Sequence, residues 1–167
     1  KQGAGLVNLA SAMATKAYLQ VEGKERPKLE LGDDPDKTGE YQMTFRVVNF
    51  GTEPLQYAIT PTVLTENAET KGDYGNVQVY FATQTSRDIT AQTTWTTNCA
   101  NNVVTVPAKG TADVTVTVKL SDALRKELTD TFENGIYIEG YITLKQQATA
   151  EGVTGCDLSI PYLAFYG

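Results

Sequence analysis

The sequence predicts an all-β fold, a sandwich of two sheets with one short helix at its start and one helix in a late connection. Three observations carry this. Apolar residues recur at period two through most of the chain, as they do on half-buried strands. Turn-rich connectors such as GDDPDKTG, TKGDYGN and VPAKGT separate these stretches at the spacing of a two-sheet sandwich. Helical signals occur in only two places.

The first helical signal lies in LASAMA, where Asn8 can serve as N-cap and Leu9 and Met13 share a face at i, i+4. A strand is then expected over 17–22. Tyr41, Met43, Phe45 and Val47 alternate with Gln42, Thr44 and Arg46 before a turn at Asn49-Phe50-Gly51, which marks a strand with one buried face. Strands follow over 55–64, 77–82, 89–95 and 103–106. Val114, Val116 and Val118 alternate with threonines in the next one. The second helix is read in SDALRKELTDTFENG: Ser121 caps it, Leu124, Leu128 and Phe132 form its inner face, and Asn134-Gly135 ends it. Strands over 136–144 and 158–165 complete the chain.

The composition excludes several functions. At 167 residues with 41% hydrophobic and 20% charged residues, the chain is long enough and apolar enough for a real core. A formal net charge of -6, with scattered lysines and arginines, speaks against nucleic acid and anionic lipid as partners. No apolar run approaches the roughly 20 residues of a spanning helix, so no membrane insertion is expected. There is no histidine, which removes the Ser-His-Asp and Cys-His nucleophile systems from within this chain.

The remaining polar motifs are weak candidates beside their structural readings. Asp34, Asp36, Thr38 and Gly39 have the oxygen spacing and glycine of a calcium loop, but the bidentate acid of such a loop would fall at Phe45, so a solvated acidic turn is the expectation. Cys99 and Cys156 are too far apart in sequence for a CxxC pair and too few for a zinc site, and they allow one disulfide. Trp95, Tyr74, Tyr80, Tyr162, Phe165 and Tyr166 are read as packing residues before they are read as a ligand platform. Glu66, Glu69, Lys71 and Asp73 read as a solvated loop.

Several longer stretches resemble a known family. QGAGLVNLASAMAT is similar to the closing segment of a subtilisin-type catalytic domain, where a glycine turn leads into the last helix. The strand YQMTFRVVNFGTEPLQYAI, the segment VPAKGTADVTVTVKLS and the closing pair FENGIYIEGYITLK and DLSIPYLAFYG resemble the fibronectin-III-like domain of cell-envelope subtilases, the lactocepin-type proteinases and complement-cleaving peptidases. The resemblance implies that residues 1–15 end a catalytic domain and residues 16–167 form a fibronectin-III/immunoglobulin-like sandwich. It also implies a non-catalytic accessory domain of a secreted, cell-surface or cell-wall serine endopeptidase. Such a domain packs against and orients its own catalytic domain, meets adjacent sandwich domains and aids selection of the protein or peptide substrate. Leu6, Val7, Leu9 and Met13 are then the docking candidates. Ser11 in SAMA superficially matches the TSMA around a subtilase nucleophile, but Leu9-Ala10 replace the preceding Gly-Thr and Thr15-Lys16 follow where a proline is needed. It is read as a small packing residue. No catalytic residue is expected in this chain, and no cofactor apart from the weak calcium candidate. The alternative is a surface binding module for a glycan, peptide or host protein. Exposed aromatics around one groove would favour that reading, and an apolar face continuous with the N-terminal segment would favour docking.

Overall fold

The computed structural model describes residues 9–74, 77–148 and 155–167; side chains at 11, 69–82 and 84 lie outside the description. Helix α1 (Leu9–Ala14) leads into strands β1 (Ala17–Gln20), β2 (Leu29–Asp34), β3 (Glu40–Asn49), β4 (Leu55–Tyr74) and β5 (Val77–Asp88). Strands β6 (Thr93–Thr97), β7 (Val103–Val106) and β8 (Thr111–Leu120) follow, then helix α2 (Asp122–Thr131) and strands β9 (Ile136–Gln146) and β10 (Leu158–Tyr166).

The strands form two sheets. One runs β1-β3-β8-β6, and the other runs β2-β10-β9-β4-β5, with β7 also pairing β4. All pairings are antiparallel apart from β2 against β10. Alternation places one row of each sheet inside. Tyr41, Met43, Phe45 and Val47 of β3 and Val114, Val116, Val118 and Leu120 of β8 meet Ile138, Ile142 and Leu144 of β9 and Ile160 and Tyr162 of β10 in one core. Burying each such aliphatic side chain stabilises by about 1.5–3 kcal/mol.

The helices follow their local signals. Ser121 Oγ accepts from Leu124 N at 3.2 Å, which caps α2. Leu124 and Leu128 face the core, and Phe132 packs partly against it. Gly135, at φ +81°, makes the exit turn. The cap proposed at Asn8 lies outside the described residues.

Five elements differ from expectation. β2 lies where a connector was expected, because its Leu29 fills the core while its polar residues stay at the sheet edge. β4 and β5 run on past the 55–64 and 77–82 spans. β4 pairs β9 only as far as Thr65 and continues from there against β5 alone. The stretch around Glu66, Glu69, Lys71 and Asp73 is therefore strand and not loop, a two-stranded ribbon whose backbone pairing does not require an apolar face. The strand expected over 89–95 starts only at Thr93. Asp88 Oδ1 accepts from Thr90 N at 2.9 Å, and Gln92 N donates to Ile89 O at 2.9 Å, so the chain turns there. Finally, β1 stops at Gln20 and not at 22, because Lys24 N closes a turn on Val21 O with Gly23 at φ +70°.

Candidate functional site

Among the described residues, apolar side chains stay uncovered in two places outside the core. The first lies at the N-terminal end. Leu9 and Met13 of α1 are 70% and 77% exposed, and Tyr18 of β1 and Phe50 after β3 are each about half exposed. Phe50 N donates to Lys16 O at 2.9 Å, which fastens the 49–51 turn to the start of β1 and brings the Phe50 ring to 6.5 Å from that of Tyr18. The turn is held by Asn49. Asn49 is buried, its Oδ1 accepts from Gly51 N at 2.9 Å, and its Nδ2 donates to Glu53 O at 2.8 Å and Pro107 O at 3.0 Å. A buried amide satisfied on both ends fixes the backbone that carries Phe50 into solvent. Of the docking candidates, Leu9 and Met13 are exposed as a contact surface requires, while Leu6 and Val7 lie outside the described residues.

The second surface is a groove of about 440 Å³ on the six-stranded sheet, where β2, β10, β9 and β4 run side by side. Leu163, Pro161, Tyr141 and Leu64 supply its apolar lining, and Glu30 and Glu139 its carboxylates. Lys28 and then Lys24 beside Glu30 hold its carboxyl below the usual carboxylate range. Close by on the same sheet, Tyr137 and Phe165 meet edge to face at 5.1 Å. Beneath the groove Tyr162 crosses Gly140 and donates to Thr62 O at 3.0 Å. The groove depends on the β2–β10 pairing, which the sequence reading did not include.

The acidic loop is a structural turn. Asp34 accepts from Thr38 N at 2.9 Å on one oxygen and from Gly39 N at 2.8 Å on the other, so its carboxylate closes the turn between β2 and β3. Gly39 sits at φ +63°, and a Cβ there would come within 2.7 Å of Arg125 Cδ. Arg125 lies over the loop and donates to Lys37 O at 3.4 Å and to Asp122 Oδ1 at 2.7 Å. Both oxygens of this carboxylate are engaged by backbone N–H groups, as a solvated acidic turn requires. Among the described residues no three His, Cys, Asp or Glu side chains group as metal ligands.

Cys99 and Cys156 are both free in the structure. Cys99 Sγ lies 3.4 Å from Asn98 Oδ1 and Cys156 Sγ lies 3.3 Å from Asp157 O. Three of the candidate aromatics pack on the core. Tyr162 and Tyr166 are buried, and Trp95 packs partly on the core. The side chains of Tyr74, Tyr80 and Ser11 lie outside the description.

Comparison with known proteins agrees with this architecture. The family described as Fn3-like domain matches residues 29–163. The chain is 28% identical over all 167 residues to C5a peptidase of Streptococcus pyogenes serotype M3, and equally so to that of serotype M1. It spans 12% of the length of these relatives. Among solved structures, the ASH / PapD-like domain of human CEP192 superposes with a TM-score of 0.52 at 10% identity, covering 100% of this chain and 96% of that one. A family 123 glycoside hydrolase from Clostridium perfringens gives 0.52 at 6% identity, covering 90% of this chain and 27% of that one. At such identities these two likenesses show the fold alone.

Proposed function

The chain belongs to the Fn3-like domain family, and from that premise we propose that it is a non-catalytic accessory domain of a secreted, cell-surface subtilisin-like serine endopeptidase. The observation that carries the reading is the reach of the likeness to C5a peptidase. It covers all 167 residues, and so extends beyond the 29–163 span of the sandwich family to the N-terminal segment. Residues 1–15 are then the end of the upstream catalytic domain and residues 16–167 the sandwich. The partners are that catalytic domain, neighbouring sandwich domains and the protein or peptide substrate of the parent.

The exposed apolar groups support docking. Leu9, Met13, Tyr18 and Phe50 lie at the end through which the chain would join the catalytic domain, and uncovered apolar groups of this size mark contact surfaces. An accessory domain fixed at that end orients the catalytic domain relative to the cell wall. The groove between Leu64, Tyr141 and Leu163 remains open and is where this domain would help select a substrate segment.

A fluorophosphonate serine probe tests the division of labour. The 167-residue chain should remain unlabelled and hydrolyse no peptide, whereas the product of the longer reading frame should be labelled. Labelling of the short chain, abolished by Ser11→Ala, would overturn the assignment.

A further inference from the structure

Strand β6 has the sequence TTWTT, reads the same in both directions about Trp95, and forms an open edge of the four-stranded sheet. We propose that this edge pairs with β6 of a second copy of the chain, antiparallel about a two-fold axis through Trp95, joining two four-stranded sheets into one.

The direction of the free backbone groups follows from the pairing to β8. Asn98 N donates to Thr115 O at 3.2 Å and Ser121 N donates to Gln92 O at 3.0 Å. In an antiparallel ladder backbone groups alternate in direction, so residues 92, 94, 96 and 98 turn theirs toward β8, and Thr93, Trp95 and Thr97 turn theirs away. Thr93 N–H is already held by Thr90 O. With Trp95 opposite Trp95 of the second copy, four hydrogen bonds close: two between the tryptophans, and one from each Thr97 N–H to the carbonyl of the opposing Thr93. Trp95 is only partly covered in the single chain, and in the pair the two indoles meet at the seam.

The other edges are blocked in the ways that natural sheets block edges. β2 carries Glu30, Asp33 and Asp34, a glycine at φ +77° and a register shift against β10. β1 and β7 are four residues long, and Pro107 follows β7. β5 ends on Arg87 and Asp88. β6 has no charge, proline or bulge. It also sits within residues 89–108, twenty consecutive residues without a charge in a chain that carries 14 basic and 20 acidic residues. Two copies of a chain of net charge -6 repel over most of their surfaces, and this is where they can approach without placing like charges together. A five-residue seam is far below the roughly 800 Å² per partner of a stable interface, so the expected association is weak and reversible.

Sedimentation velocity over about 1 μM to about 1 mM, read together with the emission of Trp95, the only tryptophan, tests the pairing. The weight-average mass should climb toward twice the monomer, with a blue shift as the indoles are covered. Thr94 faces Thr96 of the second copy across the axis, and both side chains are exposed in the single chain. Thr94→Glu with Thr96→Glu should abolish association, and Thr94→Glu with Thr96→Lys should retain it, with both variants melting like the parent chain. A chain that stays monomeric up to about 1 mM, or a dimer that survives the double glutamate variant, overturns the proposal. So does a monomer that instead takes up a free TTWTT peptide.

Discussion

The hydroxyl of Tyr162 on β10 reaches across β9 to the carbonyl oxygen of Thr62 on β4, at 3.0 Å. It can do so because the intervening residue is Gly140, whose Cβ, if present, would lie 1.9 Å from Thr62 O and 2.7 Å from the Tyr162 hydroxyl. The glycine and the tyrosine are thus one device, which pins three strands of the grooved sheet.

Gly140→Ala should therefore be severely destabilising, by more than about 3 kcal/mol, since the clash is with backbone and with a buried ring. Tyr162→Phe should cost only about 1 kcal/mol, the worth of one hydrogen bond. Urea unfolding of both variants checks the order of the two effects.

The Asp34 turn leads to a second expectation. Asp34→Ala should lose about 1–2 kcal/mol through the two amides it leaves unpaired. Millimolar calcium should leave the melting temperature of the unmodified chain where it was, as differential scanning calorimetry would show.

Stability should fall at both ends of the pH scale, for opposite reasons. The hydrogen bond from Thr90 holds the Asp88 carboxyl below its ordinary value, and Arg46 and Arg87 do the same for Asp113 and Glu127. A depressed carboxylate contributes stability above its unfolded pKa that is lost as pH falls through the folded one, so the acid limb should begin below about pH 4. Burial pushes the Tyr57 hydroxyl up to about 12 and also raises Tyr41 and Tyr162. A raised tyrosine stabilises the fold below its unfolded pKa, and that contribution is lost as pH climbs past about 10. Melting temperatures across pH 3 to about 11 should trace both limbs, and Asp88→Asn should flatten part of the acid one.

The thiols give a simpler test. Both cysteines are half-buried and unpaired, so alkylation in denaturant without reductant should add two groups by intact mass. A mass unchanged until reduction would mean a disulfide.

Much of the sandwich was legible because the strands that build its core carry their own signal. β3 and β8 alternate without interruption, and Ser121, Leu124 and Leu128 announce α2 at its correct start. Elements whose stability comes from a neighbour were harder to read. β2 is rich in glycine and aspartate and exists because β10 offers it a parallel edge. The 66–74 half of β4 is charged and is a strand because β5 folds back on it. At the candidate site, the i, i+4 spacing that puts Leu9 and Met13 on one face was legible, and both side chains are exposed. The joining of Tyr18 to Phe50 is different, since it rests on Asn49 binding the carbonyls of Val106 and Pro107, a tertiary contact with no local signature.

Because Leu9 and Met13 contribute nothing to the core, deleting residues 1–15 should leave a cooperatively melting domain. Deleting β10 should not, because Ile160, Tyr162, Ala164 and Tyr166 go with it. Thermal unfolding of the two truncations checks the proposed boundary.

Docking of this sandwich onto an upstream catalytic domain through its N-terminal end, as proposed above, should be visible in hydrogen–deuterium exchange. Amides of residues 16–20 and 49–53 should exchange more slowly in the longer protein, with the upstream domain attached, than in the 167-residue chain. Tyr18→Ser with Phe50→Ser should remove the difference without changing the melting temperature of the chain alone, because both side chains are exposed there. Equal exchange of these segments with and without the upstream domain would contradict the claim.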